Sequence, residues 1–107
     1  MARQLIRGDI WLHRFAGPDK RRPVVILTRS SVIPYLDSIL VAPITSTIRG
    51  LPTEVRLDER HGLKGPSVAG CDNVRPVRRV DLEQWIGTID EGSMSAFCAA
   101  VRIAIGC

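Results

Sequence analysis

Short runs of hydrophobic residues recur along this chain, separated by turns that contain glycine, proline and aspartate. Runs of about four to eight residues rich in valine, isoleucine and aromatic side chains are typical of β-strands, because these side chains fit a pleated surface. The pattern predicts six or seven short strands. They are expected at residues 10–15, 22–28, 38–44, 53–57, 67–72 and 85–89, with residues 73–77 also extended.

Two of these strands are predicted to lie at the centre of the fold. Residues 24–27 and 39–42 are unbroken aliphatic runs, as expected for strands that are buried on both faces. Pro23 lacks a backbone N–H and suits the first residue of a strand, whereas Pro43 indicates an edge, a bulge or the end of pairing. Residues 53–57 alternate strictly and predict a half-exposed strand.

One α-helix is predicted after the strands. Asp90 suits its N-cap, Glu91 suits its first turn, and Gly106 suits the position that ends it. The apolar face repeats at helical spacing and consists of Met94, Phe97, Cys98, Val101, Ala104 and Ile105. We therefore expect Cys98 to be a small core residue.

Many short strands followed by one helix predict an α+β, mainly β protein, in which the helix packs on a small, strongly curved sheet or barrel. The length of 107 residues suits a single domain, predicted to span residues 1–107. The apolar runs are far shorter than the ~20 residues that cross a bilayer, and the first residues form no apolar signal segment. A soluble cytoplasmic protein is therefore expected.

The cysteines and histidines give no sign of a disulfide framework or a metal site. The three cysteines are widely spaced, and no C-x-x-C pair occurs. His13 and His61 are isolated, and His13 is expected on a strand with its side chain in solvent. Glycine-rich phosphate loops, HExxH motifs and nucleophile elbows are also missing. No metal and no cofactor are expected.

The net charge of +4 is unevenly distributed. Residues 1–50 carry eight basic and three acidic side chains, whereas residues 51–107 carry seven and eight. Thirteen of the fifteen cations are arginine, which suits phosphate recognition because its planar guanidinium donates two parallel hydrogen bonds. The composition favours a polyanionic partner, although GC-rich coding bias also produces arginine richness.

Arginine and hydroxyl side chains form the main candidate site. Arg22 precedes Pro23, and a residue before proline favours extended backbone. We therefore expect Arg22 at the start of a buried strand. Thr45, Ser46 and Thr47 follow the next buried strand. If the two strands are neighbours, as sequential strands usually are, a guanidinium and a hydroxyl converge on one phosphate. The residues alone leave two alternatives, a solubilising basic turn and a strand-to-loop cap.

Such a pair suits RNA, because the 2′-OH of RNA can attack the adjacent phosphate without a metal. Cleavage then needs positioning, charge stabilisation and proton transfer. Arginine is a poor proton carrier because its pKa is far from neutral. Asp72 and His61 are the titratable candidates, and Asp72 could equally be a turn former.

The chain resembles the MazF/PemK/Kid toxins of toxin–antitoxin modules. The resemblance rests on RGDIW (7–11), KRRPVVIL (20–27), VAPITSTIRGLPTEVRL (41–57), PSVAGCDNVRPV (66–77) and WIGTID (85–90), in order and spacing. It implies an SH3-like barrel with helices (CcdB/PemK-like), a homodimer, and metal-independent cleavage of single-stranded RNA such as mRNA at short sequences. It also implies a cognate antitoxin that blocks the RNA site, and a toxin–antitoxin complex that binds DNA.

The resemblance assigns roles by motif. Its catalytic candidates are Arg22, Thr45 and Asp72. Its RNA-binding candidates are Lys20, Arg21, Ser46, Thr47, Arg49 and Ser67. Two positions depart from the pattern. Gly70 stands where some members carry an arginine, and Asp19 and Lys20 stand where some carry a histidine, so a mechanism that uses those groups is not expected.

Two other functional classes remain open from the sequence. The same barrel resembles the CcdB toxins, which poison DNA gyrase by protein contact and are not enzymes. Arg22 argues against this class, because a gyrase binder needs no phosphate-binding arginine at that strand. The third possibility is a nucleic-acid-binding barrel without activity, which would bind RNA in a salt-dependent way and yield no product.

Overall fold

The computed structural model describes residues 3–15 and 21–107. Within these ranges the chain forms seven strands and one α-helix. The strands are β1 (Asp9–Arg14), β2 (Arg21–Ile26), β3 (Ser38–Thr45), β4 (Glu54–Leu57), β5 (Ser67–Gly70), β6 (Arg75–Arg78) and β7 (Leu82–Thr88). The helix is α1 (Glu91–Ile105), and 3₁₀ turns lie at Ile33–Tyr35, Glu59–His61, Cys71–Asn73 and Arg79–Asp81.

The predicted fold class is confirmed. The strands form an antiparallel sheet in the order β4-β5-β3-β2-β1-β7, and β6 pairs with β3 beside this path. The path is open at β4 and β7 among the described residues. The largest differences from the predicted boundaries are at Cys71–Asn73, which form a 3₁₀ turn rather than the end of a strand, and at β7, which begins at Leu82 rather than at Trp85. None of the helices in the described ranges is long and apolar enough to cross a membrane.

Strand β3 is paired on both of its edges and contacts three other strands. On one side β3 pairs with β2, and on the other side it pairs with β6 as far as Val41 and with β5 from Ile44 onward. Pro43 lies between these two partners, where its missing N–H removes no bond to either of them. The sequence predicted an edge, a bulge or the end of pairing at Pro43; the structure shows instead a change of partner from β6 to β5, while pairing with β2 includes Pro43.

Apolar side chains are buried on both faces of β2. Val24 and Ile26 belong to a cluster on the face away from α1, with residues such as Trp11, Ile39, Val41 and Leu82. Val25 belongs to a second cluster, which includes Ile10, Ala42, Phe97 and Ala100 and which α1 covers. The prediction of a central strand buried on both faces is confirmed for β2 and is wrong for part of β3, where Leu40 is 46% exposed.

The helix has the predicted ends and a narrower buried face than predicted. The Asp90 side chain accepts a hydrogen bond from the Ser93 N–H, and Gly106 adopts a left-handed conformation (φ 79°) that ends the helix. Met94, Phe97 and Ala100 are buried. Cys98 is exposed and Ile105 is 69% exposed, so both were predicted wrongly. Their periodicity fits a helix, but they lie beside the contact with the sheet.

His13 was also predicted wrongly. Its side chain is buried rather than directed into solvent, and its ring packs edge-on against Phe15 with centroids 4.1 Å apart. His13 lies on the same face of β1 as Trp11, and this face is covered by the cluster that contains Trp11 and against which Phe15 packs. Burial lowers the pKa of His13, against an opposing contribution from the Asp81 carboxylate.

Candidate RNA-cleavage site

Arg22 and Thr45 lie on neighbouring strands. In the β2–β3 ladder Val25 pairs with Ala42 and Val24 with Pro43. Continuing this antiparallel register by two residues places Arg22 opposite Thr45. The predicted adjacency of the two strands is confirmed, and it brings the guanidinium-bearing and hydroxyl-bearing positions together.

Both residues line a groove that we call the β2–β3 groove, with a volume of about 1020 Å³. Leu12, Pro23 and Ile44 give it an apolar component, and Leu12 is the direct partner of Pro23 across β1 and β2. The segment 62–67 and residues 84–86 of β7 complete the walls. Of the predicted site residues, the groove contains Arg21, Arg22, Thr45, Ser46 and Ser67.

The hydroxyl of Thr45 is held in place by its own loop. Its Oγ1 accepts a hydrogen bond from the Thr47 N–H at 3.1 Å. A hydroxyl that accepts one bond can still donate its hydrogen, so Thr45 is able to donate to a phosphate oxygen. Ser67 is buried, and its Oγ donates to the Gly65 carbonyl at 3.1 Å, which stabilises the segment 62–67 of the groove wall.

Asp72 lies in a second, smaller cavity. This cavity has a volume of about 280 Å³ and is lined by Thr45, Thr47, Arg49 and Asp72 among others, but not by Arg22. Asp72 Oδ2 accepts a hydrogen bond of 2.5 Å from the Thr53 hydroxyl. The three predicted catalytic residues therefore do not share one cavity. Thr45 is the residue common to both.

The loop after Thr45 is organised by Glu54. The Glu54 carboxylate accepts hydrogen bonds from three successive backbone N–H groups, those of Arg49, Gly50 and Leu51, at distances of 2.7–3.2 Å. Consecutive N–H groups of this kind form a concave anion-binding surface. The loop that carries Thr47 and Arg49 is thus closed around a carboxylate of the same chain.

Arg21 forms an ion pair with Glu83, which lines a neighbouring groove rather than the β2–β3 groove. Its Nε lies 3.0 Å from Glu83 Oε1, while Arg14 Nε donates to Glu83 Oε2 at 2.8 Å. The hydrogen bond from Arg14 makes the largest contribution to lowering the pKa of Glu83, and the charge of Arg21 lowers it further. Lys20, predicted to bind RNA, lies outside the described residues.

His61 is separated from the site. Its Nδ1 accepts the Asp58 N–H at 3.1 Å and caps the Glu59–His61 turn. It lines a cavity beside α1 that contains neither Arg22 nor Thr45. Within the described ranges, no group of three or more histidine, cysteine, aspartate or glutamate side chains is arranged to hold a metal ion.

Sequence reasoning missed three polar or aromatic residues of the groove, namely Lys64, Gln84 and Trp85. Lys64 lies in a polar loop that carries no motif. The predicted strand began at Trp85 and did not include Gln84, whereas both residues lie inside β7. The partial exposure of Trp85, 39%, is a property of the assembled sheet and leaves no signal in the sequence.

Comparison with known proteins identifies the family. The family described as PemK-like, MazF-like toxin of type II toxin-antitoxin system matches residues 6–105. Endoribonuclease MazF3 of Mycobacterium tuberculosis (strain H37Rv) is 47% identical over 83 residues, covering 78% of this chain and 81% of that protein. Probable endoribonuclease MazF5 of the same strain is 38% identical over 102 residues, covering 94% and 93%.

Solved structures of toxins share the fold of this chain. The M. tuberculosis toxin MazF-mt6 superposes with a TM-score of 0.85 at 42% identity, covering 92% of this chain and 96% of that one. An endoribonuclease bound to its cognate antitoxin, from a mycobacterial species, shares the fold at a TM-score of 0.83 and 20% identity. The chain belongs to the PemK-like, MazF-like family of type II toxins.

Proposed function

We propose that this chain is a sequence-selective endoribonuclease toxin that cuts single-stranded RNA, including mRNA, without a metal ion. The products are a 2′,3′-cyclic phosphate and a 5′-hydroxyl. The observation that carries the proposal is the placement of Arg22 and Thr45 on adjacent strands in one groove, in a chain whose relatives are named endoribonucleases.

The reaction follows from the chemistry of RNA. The 2′-oxygen forms a bond to the adjacent phosphorus as it loses its proton, and the bond to the 5′-oxygen breaks as that oxygen gains a proton. Negative charge builds on the non-bridging oxygens of the phosphorane. Arg22 supplies the positive charge that stabilises it, and the Thr45 hydroxyl donates to one of these oxygens, which positions the phosphate.

Asp72 is the candidate for accepting the proton of the attacking 2′-OH. Asp72 shares a cavity with Thr45 and is exposed, and the Thr53 hydroxyl orients its carboxylate. A carboxylate can accept the proton of the attacking hydroxyl. This assignment requires the RNA to extend from the β2–β3 groove past Thr45 into the smaller cavity.

The remaining predicted residues mark the path of the RNA backbone. Ser46 and Ser67 lie beside Thr45 in the β2–β3 groove, and Thr47 and Arg49 line the smaller cavity. Arg21 contributes positive charge at the start of β2, although it must share its guanidinium with Glu83, and Lys20 precedes it in the sequence. Phosphate contacts of this kind position the strand without reading its sequence.

Cleavage of mixed-sequence RNA in the presence of a chelator tests the proposal. Wild-type protein is expected to produce discrete fragments, and Arg22→Ala to be slower by about 10²–10³-fold, the usual effect of removing one transition-state donor. Arg56→Ala, which removes an exposed arginine of β4, is the matched control and should cleave normally. Intact RNA with wild type, or equal rates for wild type and Arg22→Ala, would reject the proposal.

The proposal includes two protein partners. A cognate antitoxin would neutralise the toxin, and an acidic one would suit the net charge of +4. A homodimer is also proposed, since Tyr35, Leu40 and Val80 leave apolar surface exposed (85%, 46% and 73%). The cytoplasm, where mRNA is translated, is the proposed location. Sedimentation of the purified chain distinguishes dimer from monomer, and added antitoxin should abolish cleavage.

A further inference from the structure

Trp85 occupies a position that the roles above do not use. It lies on β7 opposite Trp11 of β1 and is 39% exposed. It lines the β2–β3 groove, and it also lines a neighbouring groove of about 840 Å³ formed by residues that include Arg3, Arg78 and Val80. The indole therefore stands at the boundary of two grooves, one of which holds Arg22 and Thr45.

A chain of contacts holds this side chain in place. The Arg3 guanidinium lies 4.2 Å from the centroid of the Trp85 ring, within the range of a cation–π interaction. Arg3 Nε is 3.5 Å from Asp9 Oδ2, an ion pair rather than a hydrogen bond, and the Thr88 hydroxyl donates to Asp9 Oδ1 at 2.9 Å. Asp9 is fully buried, so the contacts are anchored in the core.

An aromatic side chain that is oriented but partly exposed loses little freedom when a flat ligand covers it. Unpaired bases are such ligands, and proteins that bind single-stranded nucleic acid combine a cationic path for the backbone with aromatic rings on which bases stack. Here the cationic path is supplied by Arg21 and Arg22, and Lys64 lines the same groove.

We propose that Trp85 is a stacking platform for an unpaired base of the substrate RNA, next to the phosphate held at Arg22 and Thr45. This inference rests on the proposed function and adds a binding residue to the site. Stacking accepts every base because each has a flat face, so Trp85 selects single strands over duplexes and fixes the strand in the groove. Sequence selection is left to hydrogen-bonding groups.

Fluorescence provides a direct test, because the chain has two tryptophans. Trp11 is buried at 8% exposure, so the Trp11→Phe variant reports on Trp85 alone. The probe is mixed-sequence RNA carrying 2′-O-methyl groups throughout, which cannot undergo 2′-OH attack. Saturable quenching by the single strand, and none by the same strand annealed to its complement, is the expected result.

Binding and kinetics of Trp85 variants complete the test. Trp85→Ala is expected to weaken binding of the single-stranded probe by about 5- to 150-fold, the range for losing one base–aromatic stack. Trp85→Phe should restore most of the affinity. Ile105→Ala, which removes an exposed apolar residue outside both grooves, should bind as wild type does. With natural RNA that carries no 2′-O-methyl groups, the loss of cleavage activity in Trp85→Ala should appear mainly as a higher KM.

The outcomes separate this inference from the proposed function. Cleavage by wild type without any change in Trp85 emission overturns the stacking role alone, as does unchanged binding by Trp85→Ala. A Trp85→Ala protein that sediments as a different oligomer from wild type assigns the residue to an interface between copies and also overturns the role. Wild-type protein that neither cleaves RNA nor shows quenching overturns both proposals.

Discussion

Glu54 is expected to control the order of the loop that follows Thr45. Its carboxylate accepts three backbone N–H groups, from Arg49, Gly50 and Leu51. A hydrogen bond to a charged acceptor contributes about 1.5–3 kcal/mol when it is buried. Here the loop is exposed and water can replace the carboxylate, so Glu54→Ala should lower the free energy of unfolding by only about 1–2 kcal/mol.

The larger effect should be local. Without the carboxylate, the three amides lose their acceptor and the loop carrying Thr47 becomes mobile, which loosens the N–H that holds the Thr45 hydroxyl. Hydrogen exchange is expected to accelerate at residues 49–51 in Glu54→Ala and far less in Glu54→Gln, which keeps one acceptor oxygen. RNA cleavage should slow in the same order.

Glu59→Ala is the matched control, because Glu59 is an exposed carboxylate in the turn that follows β4. It should leave exchange at residues 49–51 unchanged. Unaltered exchange at these amides in Glu54→Ala would refute the reasoning, since it would mean that the loop is held by other contacts. A fall in stability alone, with no change in exchange, would refute it equally.

Three further predictions concern stability and reactivity. Phe97→Ala should cost about 3–5 kcal/mol in chemical denaturation because the ring is fully buried under the helix, whereas Ile103→Ala, at an exposed helix position, should change stability by less than about 0.5 kcal/mol. Burial, with a smaller contribution from Asp72, raises the pKa of Cys71 to about 11. After iodoacetamide treatment at neutral pH, mass spectrometry should therefore find the exposed Cys98 and Cys107 modified and Cys71 unmodified. Equal labelling of all three cysteines would contradict this. The hydrogen bond from Arg14 lowers the pKa of Glu83 in the folded state. The ionised Glu83 therefore stabilises the protein above the ordinary carboxyl pKa of about 4.3, and this stabilisation is lost progressively below it. The difference in Tm between wild type and Glu83→Gln should shrink as the pH falls from about 5 to 3, and a constant difference would contradict this.

The sequence predicted the elements of this fold well because each carries a local signal. The aliphatic run at residues 24–27, the N-cap at Asp90 and the left-handed glycine at Gly106 are each explained by backbone or side-chain chemistry within a few residues. Burial was harder to predict. Cys98 repeats at helical spacing but lies outside the contact with the sheet, and His13 is buried because it lies on the face of β1 that the Trp11 cluster covers.

The candidate site was predictable only in part. The strand adjacency of Arg22 and Thr45 follows from sequential pairing, which is the commonest arrangement of neighbouring strands. Asp72 lies in a separate cavity because the turn that carries it packs against Thr53, a contact between distant parts of the chain. The placement of Trp85 in the groove likewise depends on the position of β7 in the sheet, which no local pattern encodes.

The most direct test of the proposed mechanism is chemical. A natural RNA and the same RNA with a single 2′-deoxynucleotide on the 5′ side of the mapped cleavage site are incubated with wild-type protein in chelator. The mechanism predicts that the natural strand yields a 2′,3′-cyclic phosphate and a 5′-hydroxyl, and that the substituted strand stays intact at that site. Cleavage of the substituted strand, or products with a 3′-hydroxyl and a 5′-phosphate, would contradict attack by the 2′-OH and the roles assigned to Arg22 and Thr45.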